Sequence, residues 1–293
     1  MTGMATVAEW IEGARPRTLP NAVAPVLAGA GAAAALGAFT WWQSLLALLV
    51  ALSLIVGVNF ANDYSDGIRG TDADRVGPLR LVGAGVAAPG TVRAAAFACF
   101  GLAAVLGLLL VGLSGRWWML AIGAGCILGA WFYTGGSKPY GYSGYGEVAV
   151  FLFFGLVAVL GTVYVQAGTI SLPAVACSVA IGAFSAAVLV ANNLRDIPSD
   201  TESGKRTLAV RLGDPATRRL YLALVAVPFL LSVAVGIAYP TALLGLLAAA
   251  LLLVPVRTIA GGHTGRGLIP VLRDTGLAML LWAASTSVGL ALS

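Results

Sequence analysis

The sequence NFANDYSDGIRGTDADR at residues 59–75 interrupts a chain that is otherwise strongly apolar. Residues 41–58 contain no charged side chain, whereas residues 59–75 contain four acids and two arginines. Such a change is typical of the point where an apolar helix leaves the hydrocarbon of a bilayer and enters water. The stretch therefore predicts the end of a membrane-spanning helix that carries reactive polar groups.

The composition of the whole chain supports a membrane protein. Of its 293 residues, 59% are hydrophobic and 10% are charged, and the mean hydropathy is +0.93. Soluble domains contain about 25% charged residues, so we expect an integral membrane protein that forms a single domain over residues 1–293. Cys99, Cys126 and Cys177 are isolated within apolar runs and lack metal or disulfide spacing, which indicates buried thiols.

Nine apolar segments approach the length of about 20 residues that a membrane helix needs. They predict an all-α polytopic membrane bundle of nine transmembrane helices. The N-terminal residues carry Glu9 and Glu12 without Lys or Arg, unlike a signal peptide, so we expect a short interfacial helix around Trp10. The predicted spans are 19–38, 41–62, 92–113, 117–133, 146–166, 172–193, 219–238, 240–257 and 271–292.

The distribution of charge provides a second test of that count. With nine spans, all of the 17 Lys and Arg residues except Arg116, and all 12 acids, fall on one side of the membrane. The positive-inside rule makes that side cytoplasmic. We therefore expect a multi-pass protein of the cell membrane with a cytoplasmic N-terminus, an external C-terminus and its active site on the cytoplasmic side.

The first polar cluster has helical spacing. If the helix of residues 41–58 continues through the junction, Asn59, Asp63 and Asp66 point the same way, because they lie at i, i+4 and i+7. Amide and carboxylate oxygens suit Mg²⁺, which takes one or two carboxylates from a protein and fills its other positions with phosphate oxygens or water. A solvated helix end is the alternative, but carboxylates at a helix C-terminus face the negative end of the helix dipole and so favour a bound cation.

A second cluster repeats this chemistry later in the chain. Asn192, Asp196 and Asp200 follow another long apolar run at i, i+4 and i+8. The recurrence predicts two similar four-helix halves, each with an acidic cluster at the end of its second helix, plus one added helix. The candidate metal ligands are Asn59, Asp63, Asp66, Asp72, Asn192, Asp196 and Asp200.

Basic residues flank both clusters, Arg75 and Arg80 among them. Acids and bases interleaved around one pocket indicate metal-bridged recognition of a polyanion such as diphosphate. The chain has no glycine-rich loop of the Walker type, so nucleotide hydrolysis is not expected. The candidate diphosphate-binding residues are Asn59, Arg69, Lys138, Asn192, Arg195, Lys205 and Arg206.

Two further segments offer groups to a second ligand. The loop YTGGSKPYGYSGYGE at 133–147 combines tyrosines and glycines with one lysine, so it can approach a ligand closely and offer aromatic faces. The string ARPRTLPN at 14–21 places two arginines at the start of the first span, where a guanidinium suits a carboxylate or phenolate. His263, in a glycine-rich loop, is interpreted as a surface residue.

These motifs resemble those of the UbiA superfamily of intramembrane aromatic prenyltransferases over nearly the whole chain. Asn59-x-x-x-Asp63 is similar to the first aspartate-rich motif of the superfamily, and Asp196-x-x-x-Asp200 is similar to the second. Four strings resemble the branch that uses 1,4-dihydroxy-2-naphthoate: ARPRTLPN (14–21), NDYSDGIRGTD (62–72), SKPYGY (137–142) and LVANNLRD (189–196).

The chain departs from the superfamily pattern at one place. The next acid of the first motif commonly follows four residues after the first, whereas Asp66 lies three residues after Asp63 and position 67 is Gly. Metal binding by Asp66, Asp72 or Asp74 is therefore left open.

The resemblance implies a bundle that binds Mg²⁺, a polyprenyl diphosphate and 1,4-dihydroxy-2-naphthoate in the lipid bilayer, with no nucleic-acid partner. The implied reaction transfers the polyprenyl group to the aromatic ring with loss of diphosphate and CO2, giving demethylmenaquinol. Because the acids lie at helix ends, we expect them to be wet and individually unimportant for stability. The catalytic candidates are Asp63, Asp66, Asp196, Asp200 and Lys138, and the aromatic acceptor is assigned to Arg15, Arg17, Asn21, Tyr133 and Tyr140.

Three other functions are weighed against this one. A related prenyltransferase would act on another aromatic acceptor, such as 4-hydroxybenzoate or homogentisate. CDP-alcohol phosphotransferases also use Asp clusters at membrane helix ends, but their D-G-x-x-A-R signature is absent, since Asp66-Gly67 is followed by IRGT. An ion-coupled transporter would place its polar groups near the bilayer midplane, whereas here they lie at span ends.

Overall fold

The computed structural model describes residues 5–70 and 79–293, and within these ranges the regular structure is helical, without β-strands. The all-α prediction is therefore confirmed for this part of the chain. The helices are α1 Val7–Gly13, α2 Pro20–Ala34, α3 Trp41–Arg69, α4 Pro89–Ser114, α5 Met119–Phe132, α6 Gly146–Ala167, α7 Leu172–Glu202, α8 Leu208–Leu212, α9 Asp214–Gly236, α10 Pro240–Ala260 and α11 Gly265–Ala291.

Seven helices of the described chain are long and apolar enough to cross a membrane, namely α3, α4, α6, α7, α9, α10 and α11. They correspond to seven of the nine predicted spans. The other two predicted spans form α2 and α5, which contain 15 and 14 residues. At about 1.5 Å per residue these two helices are shorter than the hydrocarbon core of about 30 Å. The protein is thus a multi-pass membrane protein, and seven helices of its described residues have the length and composition of a membrane span.

The helix α3 continues through the polar junction, as the spacing of the first cluster required. It ends at Arg69, where Gly70 adopts a left-handed conformation (φ 70°) that a residue with a side chain rarely adopts. The helix α7 continues in the same way through the second cluster to Glu202. Both clusters therefore lie on the last turns of long helices.

The helix α7 lies at the centre of the bundle. In the apolar 18-residue stretch of α7, 72% of the stretch is buried inside the protein, compared with 39% of the corresponding stretch of α3. Glycine allows α6 to approach it closely, since a Cβ atom added to Gly155 would lie 2.5 Å from the Cα atom of Gly182. Within α6, residues 151–160 are wound as a π-helix at this contact. This packing fixes the first turn of α6 against the polar end of α7.

Candidate active site

A cavity of about 620 Å³ extends from the polar ends of α3 and α7 into the apolar space between α3, α4, α5 and α6. The predicted residues that line it are Arg15, Asn21, Asn59, Asp66, Tyr133, Tyr140, Asn192, Asp196, Asp200 and Lys205. The predicted residues that lie outside its lining are Arg17, Asp63, Arg69, Lys138, Arg195 and Arg206. Asp72 lies outside the described residues.

Asp63 binds backbone amides instead of lining the cavity. Its side chain is fully buried, and its two carboxylate oxygens accept hydrogen bonds from the amide nitrogens of Leu81 (2.7 Å) and Val82 (3.0 Å). Hydrogen bonds to an ionised group are stronger than neutral ones, so they hold the segment around Leu81 against the end of α3. Asp63 thereby positions the neighbouring Arg80, which lines the cavity.

Asp66 is the carboxylate of the first cluster that lines the cavity. Its Oδ2 atom lies 3.4 Å from Nη2 of Arg80, its Oδ1 atom lies 3.6 Å from Nζ of Lys205, and Tyr142 donates its hydroxyl hydrogen to Oδ1. Arg80 follows the end of α3, whereas Lys205 follows the end of α7. One buried carboxylate thus brings together cations from both helix ends.

Asp196 is held by its own helix. Arg195 donates from Nε to Oδ1 (2.6 Å) and from Nη2 to Oδ2 (2.7 Å) of Asp196, and Asn192 donates from Nδ2 to Oδ2 (3.2 Å). The predicted i, i+4 pairing of Asn192 with Asp196 is therefore a direct contact. Because a carboxylate has about four lone-pair positions, Asp196 can accept further partners on the cavity side.

The acids of both clusters are buried. Asp63, Asp66, Asp196 and Asp200 are 0%, 4%, 5% and 9% exposed, so the expectation of wet helix ends is wrong. The segments that follow the two helices, together with the tyrosine loop, cover them. Since removing a buried acid leaves its donors unsatisfied, these acids also contribute to stability.

The tyrosine loop is attached to both helix ends. Arg69 donates to the carbonyl oxygens of Thr134 (2.5 Å) and Gly136, while the backbone nitrogen of Arg206 donates to the carbonyl of Tyr142 (2.9 Å). Arg69 and Arg206 are exposed and hold the loop, and Lys138 on the same loop is exposed as well. The structure does not bring these three cations to the cavity wall.

Three tyrosines of this loop line the cavity. The rings of Tyr133 and Tyr140 meet edge to face at 5.5 Å, and the ring of Tyr142 lies 4.6 Å from Nζ of Lys205. Burial raises the pKa of Tyr140 to about 12. Burial also raises the pKa of Tyr142, and the negative charge of Asp66 raises it further. Tyr140 and Tyr142 are therefore protonated at neutral pH and act as hydrogen-bond donors.

The N-terminal segment reaches the same cavity. Asn59 donates from Nδ2 to the carbonyl of Ala14 (2.9 Å) and to the hydroxyl of Thr18 (2.9 Å), which attaches this segment to α3. Arg15 adopts a left-handed conformation (φ 56°) in the turn and lines the cavity together with Asn21. Arg17 is exposed on the outer side of that turn.

Several lining residues were not singled out from the sequence. Thr207 donates to Oδ2 of Asp200 (3.4 Å), Thr134 donates to Oδ1 of Asn62 (2.8 Å), and Asn193 lies beside the predicted Asn192. The threonines lie in connections or at helix starts, where no helical period predicts their direction. The pair Asn192-Asn193 was a usable signal, because both amides precede Asp196 by about one turn.

The donor set at the polar end suits Mg²⁺. Oxygen-bearing side chains of Asn59, Asp66, Asn192, Asp196 and Asp200 line one cavity, and hard cations prefer oxygen ligands. Among the described residues, no group of three or more Asp, Glu, His or Cys side chains is close enough together to coordinate a metal ion by itself. Mg²⁺ does not require one, since it binds through one or two carboxylates together with phosphate oxygens and water.

The rest of the cavity is an apolar groove. Small residues of α3, α4 and α5, such as Ala51, Gly107 and Gly123, line it together with the rings of Phe153 and Phe154 from α6. Such walls suit a long hydrocarbon and exclude water. A polar end with acids and cations that continues into an apolar groove suits a lipid with an anionic head, and it indicates a membrane protein of the lipid-binding class.

The sequence comparisons agree with this class. The chain matches the UbiA prenyltransferase family over residues 22–264, and it belongs to that family. It is 59% identical, over 98% of both chains, to the 1,4-dihydroxy-2-naphthoate octaprenyltransferase of Mycobacterium tuberculosis. It is 41% identical to the protein of the same name from Escherichia coli, over 73% of this chain and 72% of that one.

Solved structures share the fold. A UbiA homolog from Archaeoglobus fulgidus bound to DMAPP and Mg²⁺ superposes with a TM-score of 0.70 over 97% of this chain and 100% of that chain, at 15% identity. A UbiA homolog from Aeropyrum pernix K1 superposes with a TM-score of 0.67 over 93% of this chain and 97% of that chain, at 17% identity. At these identities the likeness establishes the fold of the bundle.

Proposed function

We propose that this protein transfers a polyprenyl group from polyprenyl diphosphate to 1,4-dihydroxy-2-naphthoate in a Mg²⁺-dependent reaction. The bond from the prenyl carbon to the diphosphate oxygen breaks, a bond from that carbon to the aromatic ring forms, and the ring carboxylate leaves as CO2. The product is demethylmenaquinol. The choice of acceptor is supported by the name of the mycobacterial relative and its 59% identity.

The observation that carries this proposal is the continuity of the cavity. Asp66, Asp196 and Lys205 line its polar end, and Phe153 and Gly107 line the apolar groove that continues from it. A prenyl diphosphate has the same division, with a charged head joined to a long hydrocarbon. A site that binds both parts at once places the bond between them at the junction.

The polar end supplies the groups that a diphosphate leaving group needs. Arg80 and Lys205 are cations on the cavity wall, held near each other by Asp66. When bound, Mg²⁺ would neutralise the charge that develops on the departing diphosphate. The residues that would hold it are Asn59, Asp66, Asn192, Asp196 and Asp200, while Asp63 acts by positioning the segment that carries Arg80.

The aromatic acceptor is assigned to the side formed by the N-terminal turn and the tyrosine loop. Arg15 and Asn21 line the cavity there, and a guanidinium suits the acceptor carboxylate. Tyr133 and Tyr140 offer ring edges and faces to a flat naphthalene. The apolar groove keeps water away from the electron-poor prenyl carbon, which would otherwise react with water instead of the ring.

We extend the proposal to the arrangement in the membrane. In a nine-span bundle, the shorter helices α2 and α5 also cross the membrane, so that successive spans run in opposite directions. Residues of α5 line one side of the groove. The concentration of Lys and Arg at the polar end supports a cytoplasmic N-terminus and an active site on the cytoplasmic side of the cell membrane. Labelling of a cysteine placed at Gly115, but not at Gly141, from the outer side tests this orientation.

A product assay tests the reaction itself. Purified protein is mixed with Mg²⁺, a polyprenyl diphosphate and one of three acceptors, namely 1,4-dihydroxy-2-naphthoate, 4-hydroxybenzoate or homogentisate. The expected result is a product from the naphthoate whose mass equals the neutral acceptor acid plus the prenyl group minus CO2 and one hydrogen. This product is expected to be lost in excess EDTA. A product from another acceptor alone, or full turnover in EDTA, would overturn the proposal.

A further inference from the structure

Glu147 is a buried carboxylate to which the proposed reaction gives no role. It is the second residue of α6 and is 6% exposed. Its Oε1 atom accepts a hydrogen bond from Nδ2 of Asn193 on α7 (2.9 Å), and within the described chain its Oε2 atom has no hydrogen-bond partner. Burial of a carboxylate with an unsatisfied oxygen is unfavourable, so stability alone does not account for it.

The hydrogen bond is not needed to join α6 to α7. The two helices already meet through Gly155 and Gly182, where an added Cβ atom on either residue would overlap the other helix. The Glu147 side chain therefore has a purpose other than holding α6 against α7. The partner amide indicates that purpose, because Asn193 lines the cavity.

Asn193 lies on the aromatic side of the cavity. A Cβ atom added to Gly146, the residue before Glu147, would lie 3.2 Å from the hydroxyl oxygen of Tyr133 and 3.3 Å from Leu189. Leu189 precedes Asn193 by four residues, so the two side chains share a face of α7. The Glu147–Asn193 pair is thus adjacent to Tyr133, which lines the side of the cavity assigned to the aromatic acceptor.

We propose that Glu147 is a positioning residue for Asn193, and that Oδ1 of Asn193 accepts a hydrogen bond from a ring hydroxyl of the aromatic acceptor. This inference rests on the proposed function. A carboxylate oxygen without a proton only accepts hydrogen bonds, so it selects the Nδ2 end of the amide. The Oδ1 end of Asn193 is then directed to a different donor, and a naphthol hydroxyl is such a donor.

This contact also suits the chemistry of the ring. When a ring electron pair forms the bond to the prenyl carbon, the pair of the broken C–O bond leaves with diphosphate and the ring becomes positively charged. Part of that charge lies on the hydroxyl oxygen, which makes its O–H a stronger donor to Oδ1 of Asn193. Loss of CO2 returns an electron pair to the ring, so the hydroxyl proton stays on its oxygen throughout.

The first test separates binding of the acceptor from general stability. Asn193→Ala is expected to raise the acceptor KM about tenfold, the effect of one lost hydrogen bond. Glu147→Gln is expected to raise the acceptor KM by a smaller factor, because Gln keeps an acceptor oxygen for Nδ2 of Asn193 but also allows the opposite orientation of that amide. Both variants are expected to change the donor KM less than twofold. Tyr221→Phe is the matched control, since it removes a buried hydrogen bond to Thr275 (2.7 Å) away from the cavity. It is expected to lower the apparent Tm without changing either KM.

The second test identifies the contacted group. Binding of 1,4-dihydroxy-2-naphthoate, 1-hydroxy-2-naphthoate and 4-hydroxy-2-naphthoate is measured by titration calorimetry with the full-length protein and its Asn193→Ala variant. The affinity penalty of the variant is expected to disappear for the analogue that lacks the contacted hydroxyl. An equal penalty for all three ligands, or no penalty for any, would overturn the inference.

The outcomes distinguish a failure of the proposed function from a failure of the role proposed for Glu147 and Asn193. If the wild-type protein neither binds nor converts any naphthoate, the proposed function fails and this inference fails with it. If the wild-type protein converts the naphthoate but both variants keep the acceptor KM, only the role of Glu147 and Asn193 is wrong. If Glu147→Gln does not fold, the titration with Asn193→Ala decides, because that change leaves the first turn of α6 intact.

Discussion

The two acidic helix ends have similar spacing and different surroundings. At the end of α7, Asp196 and Asp200 both line the cavity. At the end of α3, Asp66 lines it while Asp63 accepts two backbone hydrogen bonds behind it. A spacing of three or four residues on a helix therefore establishes that two side chains share a face, but the chain that packs on that face decides what they do.

Gly67 gives the physical reason for the difference. A Cβ atom at this position would lie 2.4 Å from Cγ1 of Val82, so the returning chain leaves no room for a side chain. An acid four residues after Asp63, the pattern common in the superfamily, would collide with that chain. Asp66, three residues after Asp63, takes the place on the cavity wall instead.

The largest effect is expected at the second helix end. Asp200→Asn keeps the shape of the side chain and an oxygen for the Thr207 hydroxyl, but it removes the charge from the cavity wall. We expect turnover to fall at least about 100-fold, because the site then stabilises the leaving group less well. Steady-state assays at saturating Mg²⁺ measure this, and retention of a tenth of the activity would contradict it.

Asp63→Asn should act mainly on stability. The amide offers one acceptor oxygen where two backbone amides now bind a carboxylate, so we expect unfolding to become easier by about 2–3 kcal/mol. Chemical unfolding in detergent and the Mg²⁺ dependence of turnover are measured together. A Mg²⁺ requirement raised tenfold at unchanged stability would show that Asp63 is a metal ligand and that the two helix ends are equivalent.

Gly67→Ala tests the steric argument directly. The added methyl group meets Cγ1 of Val82 at 2.4 Å and Cβ of Val82 at 2.6 Å, so we expect a loss of about 1–2 kcal/mol in unfolding free energy. Val82→Ala should restore only part of that loss, because it removes Cγ1 and keeps Cβ. Gly101→Ala is the matched control, because it lies within α4 with no atom near the added Cβ. That control should be neutral or slightly stabilising. Equal effects of the two alanines would refute the close approach at Val82.

The smallest effect is expected for Tyr142→Phe. The ring that faces Lys205 is kept and only the hydroxyl that donates to Asp66 is lost, so we expect about a fivefold decrease in turnover. Tyr145→Phe serves as the control, since that side chain is 60% exposed. A Tyr142→Phe enzyme with wild-type kinetics would mean that the hydroxyl of Tyr142 is not needed to position Asp66.

Part of this structure follows from local sequence. Hydropathy predicts the seven long spans because the energy of a helix in a bilayer depends on its own residues. Helix geometry predicts the contact of Asn192 with Asp196, since residues four apart on a helix are neighbours. The charge of the connections and the two acidic helix ends are likewise present in the sequence alone.

Tertiary packing decided the rest. Asp66 meets Lys205, and Glu147 meets Asn193, across contacts between segments far apart in sequence. Lys138 and Arg80 are both basic residues of connecting segments, yet only Arg80 lines the cavity, because backbone bonds to Asp63 fix the residues beside it. Connections have no repeating period, so the direction of their side chains depends on the surface against which they pack.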